Sequence, residues 1–350
     1  MRIGVVGGGL FGCTAAVYAA RSGHDVHLFE AKPSLMSGAT AGTYSRLHRG
    51  AHYPRSVETG RESRRAEKSF RAEYGAAIID GGRQLYVVPP KGSHVSADEF
   101  AAFLDDEGLS FLREGNLFRV TEPRINLAGL QTLVRQKVTE AGVKVHFNAR
   151  ASYEHRDDFD WIVVAAYAGL NDVMFSLGGE VSEYRYQVVE RPVVLLPEAF
   201  KDTSIVVLDG PYGCVDPLDD TPLHVIGHVT ETIHASNTGY GPDVPKHLVP
   251  LLDRGIIRNP PHTRFREAVT DLARYIPGVG KAVHVGSSFV VRAVMAHQEP
   301  TDARPTLVHR ADEQVIRVFS GKLGTACRAA QEVVALVGAK QPTHREQVAA

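Results

Sequence analysis

The segment SRLHRGAHYPRS, Ser45 to Ser56, sets Arg46, Arg49 and Arg55 beside His48 and His52. A guanidinium presents a planar fork of donors that matches a carboxylate, and an imidazole changes protonation near neutral pH. Together they suit holding a small anion and moving a proton next to it. The chain as a whole offers no electrostatic reason for such a cluster: 39 Lys+Arg stand against 40 Asp+Glu in 350 residues, a formal net charge of −1. That balance argues against nucleic acid or a membrane surface as a partner, so the cationic segment reads as local chemistry.

The elements that must position these groups begin at the amino terminus. Arg2 to Val6 reads as a short buried strand, Gly7, Gly9 and Gly12 give G-x-G-x-x-G, and Leu10, Cys13, Val17 and Ala20 recur at helical spacing. HDVHLFE then reads as a second strand ending in Glu30, about twenty residues past the glycines, as a dinucleotide fingerprint requires. Gly7 allows a tight turn, Gly9 close approach of a pyrophosphate, and Gly12 close helix–strand packing; Glu30 can accept from ribose hydroxyls. Gly7, Gly9, Leu10, Phe11 and Gly12, with Glu30 and Ala31, form the expected dinucleotide contact. Spacing alone leaves NAD and FAD both open.

The three cysteines, Cys13, Cys214 and Cys327, are scattered, which indicates neither a disulfide framework nor a metal site and fits a reducing cytoplasm. The opening apolar run is broken by glycines, unlike a secretory leader, and no apolar stretch is long enough to cross a bilayer.

Further along, GGRQLYVVPPKGS reads as strand and turn, HVSADEFAAFLDDEG as a helix capped by Ser96, and NLAGLQTLVRQKVTEAG as an amphipathic helix leading into the strand VKVHFNA. DWIVVAAYAGLN is another buried strand. Between Val181 and Gly286, RPVVLLP, TSIVVLDG and LHVIGHV form β-like runs broken by Pro, Gly and Asp, which predicts a mostly antiparallel sheet. Strand, glycine turn and helix return in VIRVFSGKLGTACRAAQEVVALVG, before a frayed tail, KQPTHREQVAA. The expected fold is α/β: a Rossmann-type nucleotide domain from residues 1–85, 120–175 and 286–350, with an inserted antiparallel β-rich substrate domain from 86–119 and 176–285.

Three stretches, VVGGGLFGCTAA through Glu30, DWIVVAAYAGLN and FSGKLGTACRAAQE, give the chain its resemblance to the D-amino acid oxidase family of flavoproteins, which includes glycine oxidase, L-2-hydroxyglutarate oxidase and glycerol-3-phosphate dehydrogenase. The resemblance implies FAD, with Ala166 near the adenosine; relatives use a His or a Cys to link the flavin, and because SSFVVRAVMAHQEPTDARP holds no Cys the expectation is FAD held without a covalent bond. Gly321, Lys322, Leu323, Gly324 and Thr325 would place a helix amino terminus by the flavin pyrimidine, where negative charge develops on reduction. HRGAHY is similar to a flavin-side motif of the L-2-hydroxyglutarate oxidases, which puts His48 at the ring and His52 and Tyr53 beside it. Arg46 and Leu47, just before the motif, are expected at the ring as well, Arg46 because a reduced flavin favours nearby positive charge. The sequence departs from that motif at Arg49 and His52.

The same resemblance assigns catalytic roles to His48, His52, Arg46 and Arg304, the last in an Arg-Pro pair. Substrate contacts are expected from Arg49, Arg292, Tyr186 and His224, the latter two on strands of a sheet that roofs the flavin. Arg55 reads as the start of an exposed helix, SVETGRESRRAEKSF. The implied reaction is FAD-dependent oxidation of a small carboxylate-bearing amine or amino acid by hydride transfer from its α-carbon, with reoxidation by oxygen or another acceptor. A 2-hydroxy acid oxidase using a flavin-side His as base, a flavin monooxygenase, and a flavin-binding redox sensor without catalysis are the alternatives.

Overall fold

The computed structural model describes residues 1–40, 43–298 and 301–339; the expected frayed tail, residues 340–350, lies outside them. β1 (Arg2–Val6), α1 (Leu10–Arg21) and β2 (Asp25–Glu30) open the chain. Both faces of this sheet are covered, so the strands are nearly continuous apolar runs in which Ile3, Val5, Val26 and Leu28 are almost inaccessible. Next come α2 (Val57–Tyr74), β3 (Ile78–Ile79), β4 (Arg83–Val87), α3 (Ala97–Asp106), β5 (Phe111–Glu114), β6 (Leu117–Val120) and β7 (Arg124–Ile125). α4 (Leu127–Glu140), β8 (Lys144–Phe147), β9 (Trp161–Val164) and α5 (Leu170–Ser176) lead to the long β10 (Tyr184–Leu195). β11 (Thr203–Val207), β12 (Gly213–Pro217), β13 (Leu223–His228), β14 (Ile233–Gly239), α6 (Phe265–Leu272) and the long β15 (Val283–Met295) follow, then β16 (Leu307–Arg310), β17 (Val315–Phe319) and α7 (Ala326–Gly338).

Six strands form one sheet in the order β16-β17-β9-β1-β2-β8, parallel except at β16. α7 packs on α1 through small residues, Ala326, Ala329 and Ala330 joining Cys13, Ala16 and Val17 in one core. In the larger sheet β10 pairs with β15 on one edge and with β14 and β13 on the other. The order continues β13-β12-β11-β4-β6-β5, antiparallel except between β4 and β11. These two sheets are the Rossmann-type layer and the β-rich layer the sequence predicts.

The expected boundaries at 85/86, 119/120 and 285/286 each cut a strand of the larger sheet. β15 follows β10 from Tyr184↔Met295 to Leu195↔Val283, so the chain leaves the β-rich layer only after Met295 and enters it before Arg83. The Ser96 cap is present as a capping box with Glu99. Among the described residues, no helix is long and apolar enough to cross a membrane, and no group of His, Cys, Asp and Glu could hold a metal ion.

Candidate functional site

Between the two layers lies a cavity of about 930 Å³, large enough for a cofactor with a small molecule beside it. Its amino-terminal wall begins where β1 must turn at once into α1. Gly7 has φ +110°, and a Cβ there would sit 2.5 Å from the Ala165 carbonyl oxygen; at Gly12 it would sit 1.8 Å from that of Gly7. At Gly9 the nearest atom to an added Cβ is Thr40 Oγ1 at 3.7 Å, so the start of α1 opens onto the cavity and presents its free N–H groups there. The Glu30 carboxylate accepts from the backbone N–H of Gly8 (2.7 Å) and of Lys32 (2.8 Å), holding the glycine turn while facing the cavity. Leu10, Phe11, Ala31 and Ala166 line the same wall.

Glu30→Ala removes both of these charge-assisted bonds and the carboxylate expected to accept from a ribose. At about 1.5–3 kcal/mol for a bond to a charged group, FAD retention should weaken at least tenfold or so. Flavin content after gel filtration checks this, and an undiminished content would contradict the assignment.

At the other end, β17 runs into the Gly321–Thr325 turn. A Cβ on Gly321 would lie 2.2 Å from the Arg304 carbonyl oxygen, so only glycine lets the Arg304-Pro305 backbone press against the turn. Gly321, Lys322, Leu323 and Gly324 line the cavity with Leu47 and Arg304. Thr325 does not; its hydroxyl fastens the turn by donating to the Lys322 carbonyl (2.7 Å) and meeting the Thr306 hydroxyl (2.6 Å).

Next to this turn His48 lines the cavity, with the His52 ring 5.0 Å and the Tyr53 ring 5.5 Å behind it. Lys322 Nζ sits 4.4 Å from the Tyr53 ring centre. Burial, followed by Lys322, His52 and Arg46, holds His48 well below the usual imidazole range; burial, Arg46, Lys322 and Arg304 do the same to His52. Both rings are therefore neutral at neutral pH. Burial and Arg46 also pull the Lys322 ammonium down to about 7. His48 Nδ1, His52 Nδ1 and the Tyr53 hydroxyl are buried without a hydrogen-bond partner among the described residues. Cations crowded together beside buried polar atoms without partners are the surroundings an anionic ring edge would satisfy, and with the glycine turn they fit FAD.

Arg46, only 6% exposed, sets its Nε 2.9 Å from the fully buried Asp216 of β12, an ion pair by distance whose geometry is not that of a hydrogen bond. Ser45 Oγ donates to the Pro217 carbonyl (3.0 Å), so this short stretch is stapled to the β-rich layer. Arg292, on β15, faces the cavity and donates from Nε to Gln187 Oε1 (2.6 Å). Burial and the neighbouring Arg304 lower its pKa to about 10. Arg304 is held by Asp302.

Three expected substrate contacts lie elsewhere. Arg49 does not line the cavity: its guanidinium is taken by Glu67 of α2 (2.6 and 2.7 Å) and its backbone N–H by Glu122 (2.6 Å). Tyr186 is 1% exposed and does not line the cavity; its hydroxyl joins Asn171 and the Tyr240 carbonyl, both at 3.3 Å, and those two residues do line it. His224 and His228 do share a face, but α6 and the Phe200 turn cover it; His224 Nε2 meets the Phe200 carbonyl (3.0 Å) and His228 Nε2 meets Asp271 (2.9 Å). His52 stands behind His48, between Tyr53 and Tyr86, rather than on the cavity wall. Arg55, expected at an exposed helix start, is partly buried and paired with Asp209 of the β-rich layer.

The structure adds Tyr44, Tyr167 and Arg191 to the wall. Arg191 is the one with a sequence signal, a charged residue opening the otherwise apolar run RPVVLLP. Asp216 carried none, because its partner Arg46 is remote in the chain.

The family model described as FAD dependent oxidoreductase matches residues 2–313. The chain is 27% identical to the FAD-dependent monooxygenase kojA of Aspergillus flavus, over 96% of this chain and 86% of that protein. Among solved structures it is similar to glycine oxidase from Geobacillus kaustophilus, with a TM-score of 0.71, 14% identity, and coverage of 98% and 96% of the two chains. It is also similar to the glycerol-3-phosphate dehydrogenase from Bacillus halodurans complexed with FAD, with a TM-score of 0.61, 14% identity, and coverage of 96% and 64%.

Proposed function

The chain belongs to the FAD dependent oxidoreductase family, and from that premise we propose that it oxidises a small carboxylate-bearing amine or amino acid at the carbon next to the nitrogen. The observation that carries this reading is Arg292, a cavity-lining arginine whose one hydrogen-bond partner among the described residues is the neutral Gln187. Such a group is a ready acceptor site for a carboxylate, and Arg304 stands close enough to add to the field. FAD, when bound, supplies the acceptor for the hydride removed from the substrate. The protein's share is orientation: with the carboxylate fixed by Arg292, the adjoining C–H bond is aimed rather than sampled. His48, neutral and on the cavity wall, can take the proton that leaves the substrate nitrogen. The imine formed then hydrolyses to a carbonyl compound and ammonia or an amine, and oxygen or another acceptor completes the cycle.

A 2-hydroxy acid is the second reading, favoured by the same neutral His48, since alcohol oxidation needs a base for the hydroxyl proton. Similarity to proteins named monooxygenases supports a third, in which an external reductant is required. Turnover of an amino-acid and amine panel, with ammonia or amine release measured against acceptor consumption, tests the first. Equal release and consumption support it; turnover confined to hydroxy acids, or dependent on a reduced nicotinamide, would replace it.

His48→Ala sharpens the choice. For an amine delivered neutral at high pH the substrate-reduction rate should fall less than about tenfold, whereas a hydroxy acid should lose on the order of a hundredfold or more. Because burial depresses the His48 pKa, the neutral base persists as pH falls through 6.5, so the His48-dependent rate should not bend at that pH. A bend near 6.5 that disappears in His48→Ala would show that the ring is not held neutral.

A further inference from the structure

The cations along the cavity wall are unequally compensated. Lys32 is paired with Asp253 (2.7 Å), Arg46 with Asp216 (2.9 Å), Arg150 with Asp172 (3.1 Å), and Arg304 with Asp302. Lys322 lies over the Tyr53 ring on the His48 side. Two guanidinium groups have no carboxylate among the described residues: Arg292, which has Gln187, and Arg191.

Arg191 is the more exposed to question. It sits on β10 with 6% of its surface accessible, its Nε and Nη1 are buried without a hydrogen-bond partner among the described residues, and its nearest company is the Tyr44 ring, 4.7 Å from the guanidinium carbon. Burying donors of a charged group without an acceptor is costly, and stacking on an aromatic ring returns only part of that cost. Tyr44 does not belong to Arg191 alone, since the Arg46 guanidinium approaches the same ring at 5.9 Å. A second, smaller recess of about 70 Å³ is also lined by Arg191, with Thr43, Ser288 and Val290. Arg191, on β10 of the β-rich layer, thus lines both the main cavity and this recess.

We infer that the substrate carries two anionic groups, and that Arg191 binds the second while Arg292 binds the first. The inference rests on the proposed reading of Arg292 as the carboxylate site. A single carboxylate would leave Arg191 buried and unsatisfied in the working enzyme; a second anion removes the penalty and is selected by it. Tyr44 then serves as the partition between the two anion sites, holding the Arg191 plane by its ring. The substrate class is a small dicarboxylate, or a carboxylate with a phosphoryl group, bearing the oxidisable nitrogen between or beside them.

The test uses the purified FAD-loaded protein and non-reacting probes, with calorimetry and flavin absorbance as readouts. Acetate, propionate and butyrate are titrated against malonate, succinate and glutarate, with 3-phosphonopropionate beside succinate to tell a second carboxylate from a phosphoryl group. At least one dianion should bind about tenfold or more tightly than its monocarboxylate counterpart, the gain expected from one charge-assisted contact. Arg191→Met should bring that ratio to within about twofold of one, and Arg191→Lys should retain part of it, which serves if the Met variant does not fold. Dianions that bind no better than monocarboxylates would overturn the inference, as would a variant that weakens both alike or that loses FAD. Monocarboxylates that bind without dependence on Arg292 would instead refute the underlying function, so the two failures are distinguishable.

Discussion

Arg292→Met is expected to keep FAD bound, to lower kcat/KM by several hundredfold, and to make the protein more stable. The loss in turnover follows from removing a bidentate charge-assisted contact, about 3–4 kcal/mol of substrate fixation, from a site whose chemistry depends on aim. The gain in stability follows from the same geometry read without substrate. Burial and the adjacent Arg304 both work against the Arg292 charge and lower its pKa to about 10, so the folded protein carries that cost until an anion arrives. Methionine keeps the aliphatic stem, removes the charge, and leaves Gln187 as the only group to re-partner. Urea unfolding and steady-state kinetics on one preparation check both halves. A variant that loses stability and activity together would mark Arg292 as a structural tie instead.

Asp216→Ala is expected to do the reverse, costing about 3–5 kcal/mol of stability, because it strands the Arg46 guanidinium in a site with 6% exposure. Asp216 also accepts from the Ser204 hydroxyl, so one carboxylate ties β11, β12 and the Arg46 stretch together. Its pairing with Arg46, together with the bond from Ser45 Oγ to the neighbouring Pro217 carbonyl, fixes the backbone that carries Leu47 and His48 to the cavity. The double variant Arg46→Met/Asp216→Leu, which removes both charges, should recover most of the stability. Denaturant midpoints of the two variants measure this. A cost below about 1 kcal/mol for Asp216→Ala would mean that water, and not Asp216, satisfies Arg46.

These two residues also show what the sequence could and could not convey. Gly7, Gly9, Gly12 and Glu30 were readable because a strand, a turn and a helix in immediate succession leave little freedom in where they go; the Gly321–Gly324 turn was readable for the same reason. Arg292 and Arg304 were readable as cations near the return of the chain to the nucleotide layer. Asp216 was not, since its meaning comes from Arg46, remote in the chain; Arg191 stood out only as a charge at the head of RPVVLLP, with nothing local to say that it faces the cavity. His224 and His228 illustrate the complementary limit: alternation establishes that two side chains share a face, but only the docking of α6 decides that this face is covered. Arg49 was misplaced because Glu67, eighteen positions on and on α2, captures its guanidinium before the cavity can. The boundary expected at 285/286 cuts a strand because β10 recruits β15 along its whole length, and those at 85/86 and 119/120 do so because β4 and β6 pair with each other and β4 with β11, pairings no local pattern announces.

The most direct test of the account is an anaerobic titration of the FAD-loaded protein with carboxylate-bearing amines, followed by flavin absorbance and without any nicotinamide present. The account predicts complete bleaching by such an amine in the wild-type protein and, at the same concentrations, a rate slower by two orders of magnitude or so in Arg292→Met with its FAD retained. Bleaching only by a reduced nicotinamide, or bleaching by amines at equal rates in both proteins, would contradict it.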